Sequence, residues 1–226
     1  MIDIHSHILP SVDDGSLNDE QSLDMIREAV RQGVKTFVLT PHYRADYITK
    51  RETLQTAFDK FKEMVAAEGV GAKLYLGQEI YAFDGLVPAL DSGKVLTMNG
   101  SKYVLVEFSL NRPMDIPEIA YTLISHGYVP IIAHLERYKY ADEYIAHEIK
   151  EIGGLIQINA GSLCCRGGYK RRASDLIKRG FVDFVASDVH YNRENFMLKA
   201  YCKVAKKFGT ATAEKLFCEN AKNIVE

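Results

Sequence analysis

Histidines and carboxylates recur where apolar, β-prone runs of this sequence come to an end. The densest set is at the start: Met1-Ile-Asp-Ile-His5-Ser-His7-Ile-Leu-Pro-Ser-Val-Asp13-Asp14-Gly15. Ile2 and Ile4 alternate with Asp3, which reads as a short strand. His5 and His7 follow two apart at its frayed end, where both rings turn onto one point. Asp13 and Asp14 precede a turn glycine. Imidazole nitrogens mixed with carboxylate oxygens suit Zn, Mn or Fe. Taken alone, the same residues also read as two surface histidines beside a helix cap.

The elements that must position these residues alternate strand and helix almost throughout. Residues 18–31 carry apolar side chains at helical spacing and stop at Gly33. Residues 35–40 are β-rich and end in Pro41-His42. Residues 51–68 form a second amphipathic helix through Leu54, Phe58, Phe61 and Val65. Strands follow at 73–77 leading into Glu79, at 102–106 ending at Glu107, at 129–133 ending at His134, at 155–158 ending at Asn159, and at 183–187 running into Asp188-Val-His190. Helices are expected at 84–92, 117–125, 142–152, 173–179, 194–208 and 212–218.

Near-continuous apolar strands separated by helices specify an α/β fold with a parallel sheet covered by helices. Seven such units in one core-sized chain predict a closed TIM-like barrel, one unit short; an open doubly wound sheet is the alternative. With 226 residues, 47% hydrophobic, and no linker or repeat, residues 1–226 read as a single domain. The 28 basic and 30 acidic residues give a net charge of −2 and no global case for nucleic acid or a membrane surface. None of the four cysteines forms a C-x-x-C pair, so they read as reduced thiols. No apolar run reaches transmembrane length, and a strand beginning at Met1 leaves no room for a leader. The expected location is the cytoplasm.

In parallel barrels the chemistry sits at the carboxyl ends of the strands. Those ends carry His5, His7, His42, Glu79, Glu107, His134, Asn159, Asp188 and His190, so five of the seven histidines converge there. His126 and His147 fall on helices and read as structural or surface residues. Imidazoles and carboxylates crowded into one small volume would stay unpaired at a high desolvation cost. Metal ions resolve that conflict.

The set His5-Ser-His7, Asp14, Pro41-His42, Glu79, Glu107, His134 and Asp188-Val-His190 resembles the motifs of the PHP (polymerase and histidinol phosphatase) superfamily, in order over essentially the whole chain. Val12-Asp-Asp-Gly15, Val106-Glu-Phe-Ser109 and Ala133-His-Leu-Glu-Arg137 resemble its bacterial protein-tyrosine-phosphatase branch, which is linked to capsule and exopolysaccharide synthesis. The resemblance implies a distorted seven-stranded (β/α)7 barrel with three divalent ions, manganese first, with iron or zinc as alternatives. It implies that His5, His7, Glu79 and Asp188 hold one ion. Glu79 bridges to a second with Glu107 and His134, and Asp14, His42 and His190 hold a third. The choice of Asp14 over Asp13 rests on the resemblance; Asp13 is left to cap the next turn or to support a ligand. The implied partner is a phosphotyrosine protein, a bacterial tyrosine kinase.

Metals bring the pKa of bound water to about 7. The expected reaction is in-line attack by a bridging hydroxide on phosphorus, with no phosphoenzyme. Arg137 and Arg193, each three residues after a candidate ligand, are placed to hold phosphoryl oxygens bidentately. Tyrosinate leaves from a phenol of pKa about 10, so a strong general acid is not required.

Four other readings compete. Cys165-Arg-Gly-Gly-Tyr-Lys-Arg171 satisfies the C-x5-R pattern of cysteine-based phosphatases, but it does not directly follow a strand. Within the phosphatase reading, the basic loop Arg166, Lys170, Arg171 and Arg172 is expected to help dock an acidic phosphopeptide, or else to be a solvated loop. The remaining alternatives are a small-molecule phosphatase of the histidinol-phosphatase kind, a nuclease, and a metal-stabilised module without turnover. The balanced charge argues against the nuclease.

Overall fold

The computed structural model describes residues 1–226. Its strands are β1 (Ile2–Ser6), β2 (Thr36–Leu39), β3 (His42–Tyr43), β4 (Lys73–Leu76), β5 (Glu79–Tyr81), β6 (Tyr103–Glu107), β7 (Val129–Ile132), β8 (Leu155–Asn159) and β9 (Phe184–Ala186). All pair in parallel, in the orders β1-β2-β4 and β3-β5-β6-β7-β8-β9. The sequence reading expects seven strands. Nine segments form because the second and third expected strands each resume past their expected ends, as β3 and β5. Pro41, which has no N–H to give a ladder, separates β2 from β3, and Gly77-Gln78 separates β4 from β5.

Hydrogen bonds carry the wall across both breaks. Gly77 N–H donates to Leu39 O at 2.9 Å and Glu79 N–H to Pro41 O at 3.2 Å. At the opposite seam Asp188 N–H donates to His5 O at 2.8 Å and His7 N–H to Val189 O at 3.1 Å. The sheet thus curls until its edges meet, and the open doubly wound alternative does not form. The wall is distorted beside Gly77. There a Cβ would come within 2.9 Å of the Met98 sulfur and 3.2 Å of its Cα, so glycine lets the turn Met98–Gly100 pack closely between β4 and β6 with no shift of Met98.

Helices α1 (Asp19–Arg31), α2 (Arg51–Ala67), α3 (Leu86–Asp91), α4 (Ile116–Ser125), α5 (Glu143–Glu151), α6 (Ala160–Cys164), α7 (Gly168–Lys178) and α8 (Met197–Phe208) surround the sheet, with further helical turns at 210–225. The first shows the logic. Asn18 accepts from Gln21 N–H at 2.9 Å as N-cap, and Asp19 and Glu20 face the positive end of the helix dipole. Leu23 and Ile26 turn inward, each burial contributing roughly 1.5–3 kcal/mol. The sequence reading misses α6 and starts α7 late, because glycines and charges there mask the periodicity.

The core has two parts. A large cluster lies between the sheet and the helices. A smaller one fills the barrel interior with Ile4, Val38, Leu105, Ile131, Phe184 and Ala186, plugged by Met98, Ala221 and Ile224. It forms an apolar floor beneath the strand ends.

Candidate metal centre

Alternation along a strand places residues two apart on one face. Leu105 and Glu107, Leu155, Gln157 and Asn159, and Phe184 and Ala186 follow this rule: apolar residues at the floor, polar ones above. β1 departs from it. Ile2 and Ile4 pack on the interior cluster, yet His5 and His7 also enter the polar layer above it. A register shift between Asp3 and Ser6 allows both. The strand is not frayed at His5, as the sequence reading has it; it runs to Ser6 and is re-aimed by an irregularity within it.

Four side chains meet first. His5 Nε2 lies 3.3 Å from Glu79 Oε1 and 3.5 Å from Asp188 Oδ1. His7 Nε2 lies 3.3 Å from Glu79 Oε2 and 3.4 Å from Asp188 Oδ1. The two Nε2 atoms are 3.2 Å apart. Next to them, His134 Nε2 is 2.9 Å from Glu79 Oε1 and 3.7 Å from Glu107 Oε1. Outermost, His42 Nε2 and His190 Nε2 each lie 3.4 Å from Asp14 Oδ1. His42 does more than expected: its Nδ1 reaches Glu79 Oε2 at 2.8 Å and Glu107 Oε2 at 3.8 Å, so the ring stands between two groups. All nine expected side chains are therefore brought together, and all but Asp14 are buried.

The donor set fits cations. His7, Asp14, His42 and His190, then His5, His7 and Glu79, then His42, Glu79 and Glu107, each present ligand atoms within 4.8 Å of one another. His42 Nδ1, Glu79 Oε2 and Glu107 Oε2 are buried without a hydrogen-bond partner, the last two despite being strong acceptors. Close approach without hydrogen-bond geometry is the arrangement of donors aimed at a shared point.

The electrostatics are polarised. Burial opposes charge on His5, but Glu79 and Asp188 outweigh it and push the ring up to about 9. Burial likewise opposes ionisation of Glu79 and Asp188, and the surrounding imidazoles hold both well below the usual carboxylate range. Glu107 goes the other way, raised by burial and by the neighbouring Glu79 charge. His190 is lowered to about 4 by burial and by His7.

Apart from Asp13, sequence reasoning missed the residues behind the donors. Asp13 takes both roles left open for it: Oδ1 accepts Gly15 N–H at 2.9 Å, and Oδ2 lies 2.7 Å from His7 Nδ1 and accepts His42 N–H at 3.0 Å. Gly15 is required here, because a Cβ would fall 2.0 Å from His7 O. Gln157 stands behind His5, and Asn159 and Glu136 stand behind Asp188 and β8. For Gln157 the signal was only a polar residue inside an apolar strand; Asn159 closes that strand, and Glu136 sits in the turn after His134. His134 (φ 34°) and Asp188 (φ 49°) hold left-handed backbone, a strain that persists only under tight restraint.

Arg137 Nη1 lies 3.3 Å from Asp188 Oδ2, and Arg193 Nη1 lies 3.3 Å from His190 Nδ1. Both line a cavity of about 220 Å³ with Asn159, Cys165, Arg166, Lys170 and Asp188. The C-x5-R stretch makes no phosphate cradle. Cys165 is exposed at the end of α6, and Arg171 is already helical in α7, outside that cavity. His126 and His147 lie on the surface, as expected.

The fold and the donor set define a hydrolase-like α/β barrel whose strand ends carry clusters of side chains able to hold metal ions. The chain belongs to the capsular polysaccharide synthesis family CpsB/CapC, which it matches over residues 1–226. It is 33% identical over 228 residues to the tyrosine-protein phosphatase YwqE of Bacillus subtilis (strain 168), covering 98% of this chain and 90% of that protein. It is 33% identical over 238 residues to the tyrosine-protein phosphatase CpsB of Streptococcus pneumoniae, covering 100% and 98%. Among solved structures, one from a study of YwqE and CpsB as metal-dependent tyrosine phosphatases superimposes with a TM-score of 0.89 at 32% identity, covering 94% of this chain and 90% of that one. A histidinol phosphate phosphatase of Lactococcus lactis shares the fold at a TM-score of 0.60 and 13% identity, covering 92% and 95%. The resemblance to the tyrosine-phosphatase branch is borne out. No helix is long and apolar enough to cross a membrane.

Proposed function

We propose that this chain is a metal-dependent protein-tyrosine phosphatase, with manganese as its working ion. Its substrate is a phosphotyrosine protein, a tyrosine kinase of capsule or exopolysaccharide synthesis, met in the cytoplasm. The observation that carries the reading is the convergence of nine donors on shared Glu79 and His42, flanked by two arginines, in a member of this family.

His5, His7, Glu79 and Asp188 would hold one ion, Glu79, Glu107 and His134 a second, and Asp14, His42 and His190 a third. Bound there, divalent cations supply a water of pKa about 7 and Lewis acidity toward phosphoryl oxygens. The chain's own residues do the rest. Arg137, held by Asp188, and Arg193, beside His190, offer guanidinium forks that match phosphoryl geometry. A phenolate of pKa about 10 leaves without a strong acid. The apolar floor beneath keeps the polar layer shielded from water below.

The test strips the protein of metal, restores Mn, and follows a phosphotyrosine peptide beside histidinol phosphate. Peptide hydrolysis should return with Mn, fall about 100-fold in His42→Ala, and persist in Cys165→Ser. Preference for histidinol phosphate, or metal-independent activity that vanishes with Cys165, overturns the reading.

A further inference from the structure

β8 is the strand whose end supplies no ligand type, yet its interior face touches two of the donor groups. Gln157 and Asn159, two apart, point into the polar layer beside them. The direction of every hydrogen bond there follows from one atom. The backbone N–H of His134 can only donate, and it lies 2.9 Å from Gln157 Oε1. That fixes the Gln157 amide. The same oxygen is 3.1 Å from His5 Nδ1, so Nδ1 carries a ring proton, and in the neutral ring that an ion requires Nε2 is the nitrogen left with a lone pair. Nε2 is the atom that faces Glu79 and Asp188.

The other end of the amide propagates the order. Gln157 Nε2 donates to Asn159 Oδ1 at 2.9 Å. Asn159 Nδ2 therefore donates to Asp188 Oδ2 at 2.6 Å, which leaves Asp188 Oδ1 toward the two histidines. Both ends of this relay fall on the strained residues His134 and Asp188. Glu136 Oε1 anchors it, accepting Asn159 N–H at 3.1 Å and Ser162 Oγ–H at 2.6 Å. Amides serve here because each both donates and accepts while adding no charge to a crowded set of carboxylates.

We propose that Gln157 and Asn159 are positioning residues of the first metal group: their relay sets the tautomer of His5 and turns Asp188 so that His5 Nε2 and Asp188 Oδ1 are presented to the ion. The inference rests on the metal-centre reading above, and its test reads metal binding apart from turnover. Removing such an outer support lowers metal affinity by roughly 10–100-fold. Gln157→Leu removes the acceptor behind His5. Asn159→Asp keeps shape but removes the donor to Asp188.

Mn titrations of the folded protein should show both variants weakened by roughly 10–100-fold, with turnover on a phosphotyrosine peptide recovering as Mn is raised. Long-range proton–nitrogen spectra of the Zn-loaded protein should place the His5 proton on Nδ1 in the parent and lose that signature in Gln157→Leu. Parent-like Mn affinity in both variants, or a parent His5 protonated on Nε2, overturns the proposal. If Gln157→Leu does not fold, Asn159→Leu decides: it removes the donor to Asp188 without adding charge, and parent-like Mn affinity in it overturns the proposal. Weakened Mn binding with no peptide hydrolysis in the parent upholds this relay and rejects the phosphatase reading instead.

Discussion

His5 and His7 stand two residues apart and aim the same ring nitrogen at the same two carboxylates, yet they are backed differently. Behind His5 is a neutral amide, Gln157; behind His7 is a carboxylate, Asp13. Burial would raise Asp13 and lower His7, but their ion pair overrides it, holding Asp13 down at about 2 and His7 well above the usual imidazole range. A charged partner raises the basicity of a ligand ring, whereas an amide only orients it. The stronger donor sits at the junction, because His7 belongs to two donor groups and His5 to one. Donor strength is thus graded by what stands behind each ring, not by the ring itself.

The largest way to break this contrast is through the turn that holds Asp13. Gly15→Ala forces a Cβ against His7 O, so the turn must open. Stability should fall by about 3 kcal/mol in urea unfolding, and Mn binding should go with it. Unchanged unfolding would mean the turn is not what fixes Asp13. Asp13→Asn is the sharper variant. Its one oxygen can still accept from Gly15 N–H or from His42 N–H, which now bond to different carboxylate oxygens; the charge behind His7 is gone, and Mn affinity should drop roughly 10–100-fold. Calorimetric titration showing parent affinity would reduce the carboxylate to an orienting role like that of Gln157.

A pH series reads the same contrast more gently. An ion needs a neutral imidazole, and His5, pushed up to about 9, must lose a proton to bind it. Binding therefore releases protons below that pH, and apparent Mn affinity should rise with pH and fall as the medium is acidified. In Asp13→Asn, His7 lacks the charge that holds its proton, so the rise should be shallower. A slope identical to the parent's would show that His7 contributes no proton. The smallest effect belongs to His126→Ala. That ring meets only Thr122 O at 2.8 Å and the Ser125 hydroxyl on the surface. Stability should stay within about 0.5 kcal/mol and metal content should not move.

The convergence of the candidate donors was legible because residue type and strand-end position are both written in the sequence. Glu107 and Asp188 continue the inward alternation of apolar residues before them. The strand count was less legible. Pro41 and Gly77-Gln78 were visible, but whether they end a strand or merely interrupt it depends on neighbours such as Met98. The backing residues were hidden for a further reason. Gln157 looks like one polar residue in Leu155-Ile-Gln-Ile158, and its meaning comes from His134 and His5, which reach it only across the barrel. Asp13 and Asp14 could not be told apart locally; Gly15, by forcing the turn against His7, decides which one is buried.

The seam between β1 and the segment after β9 also orders events in time. Ser187 Oγ–H donates to His5 O across a separation of 182 residues. A nascent chain made from its amino end displays His5 and His7 long before Asp188 exists, and such distant contacts form late because so much chain must be ordered first. Barrel closure and completion of the first donor group are then a single step. If His5, His7, Glu79 and Asp188 hold one ion, as proposed, its binding would report that synthesis has passed Asp188 and that the wall has closed.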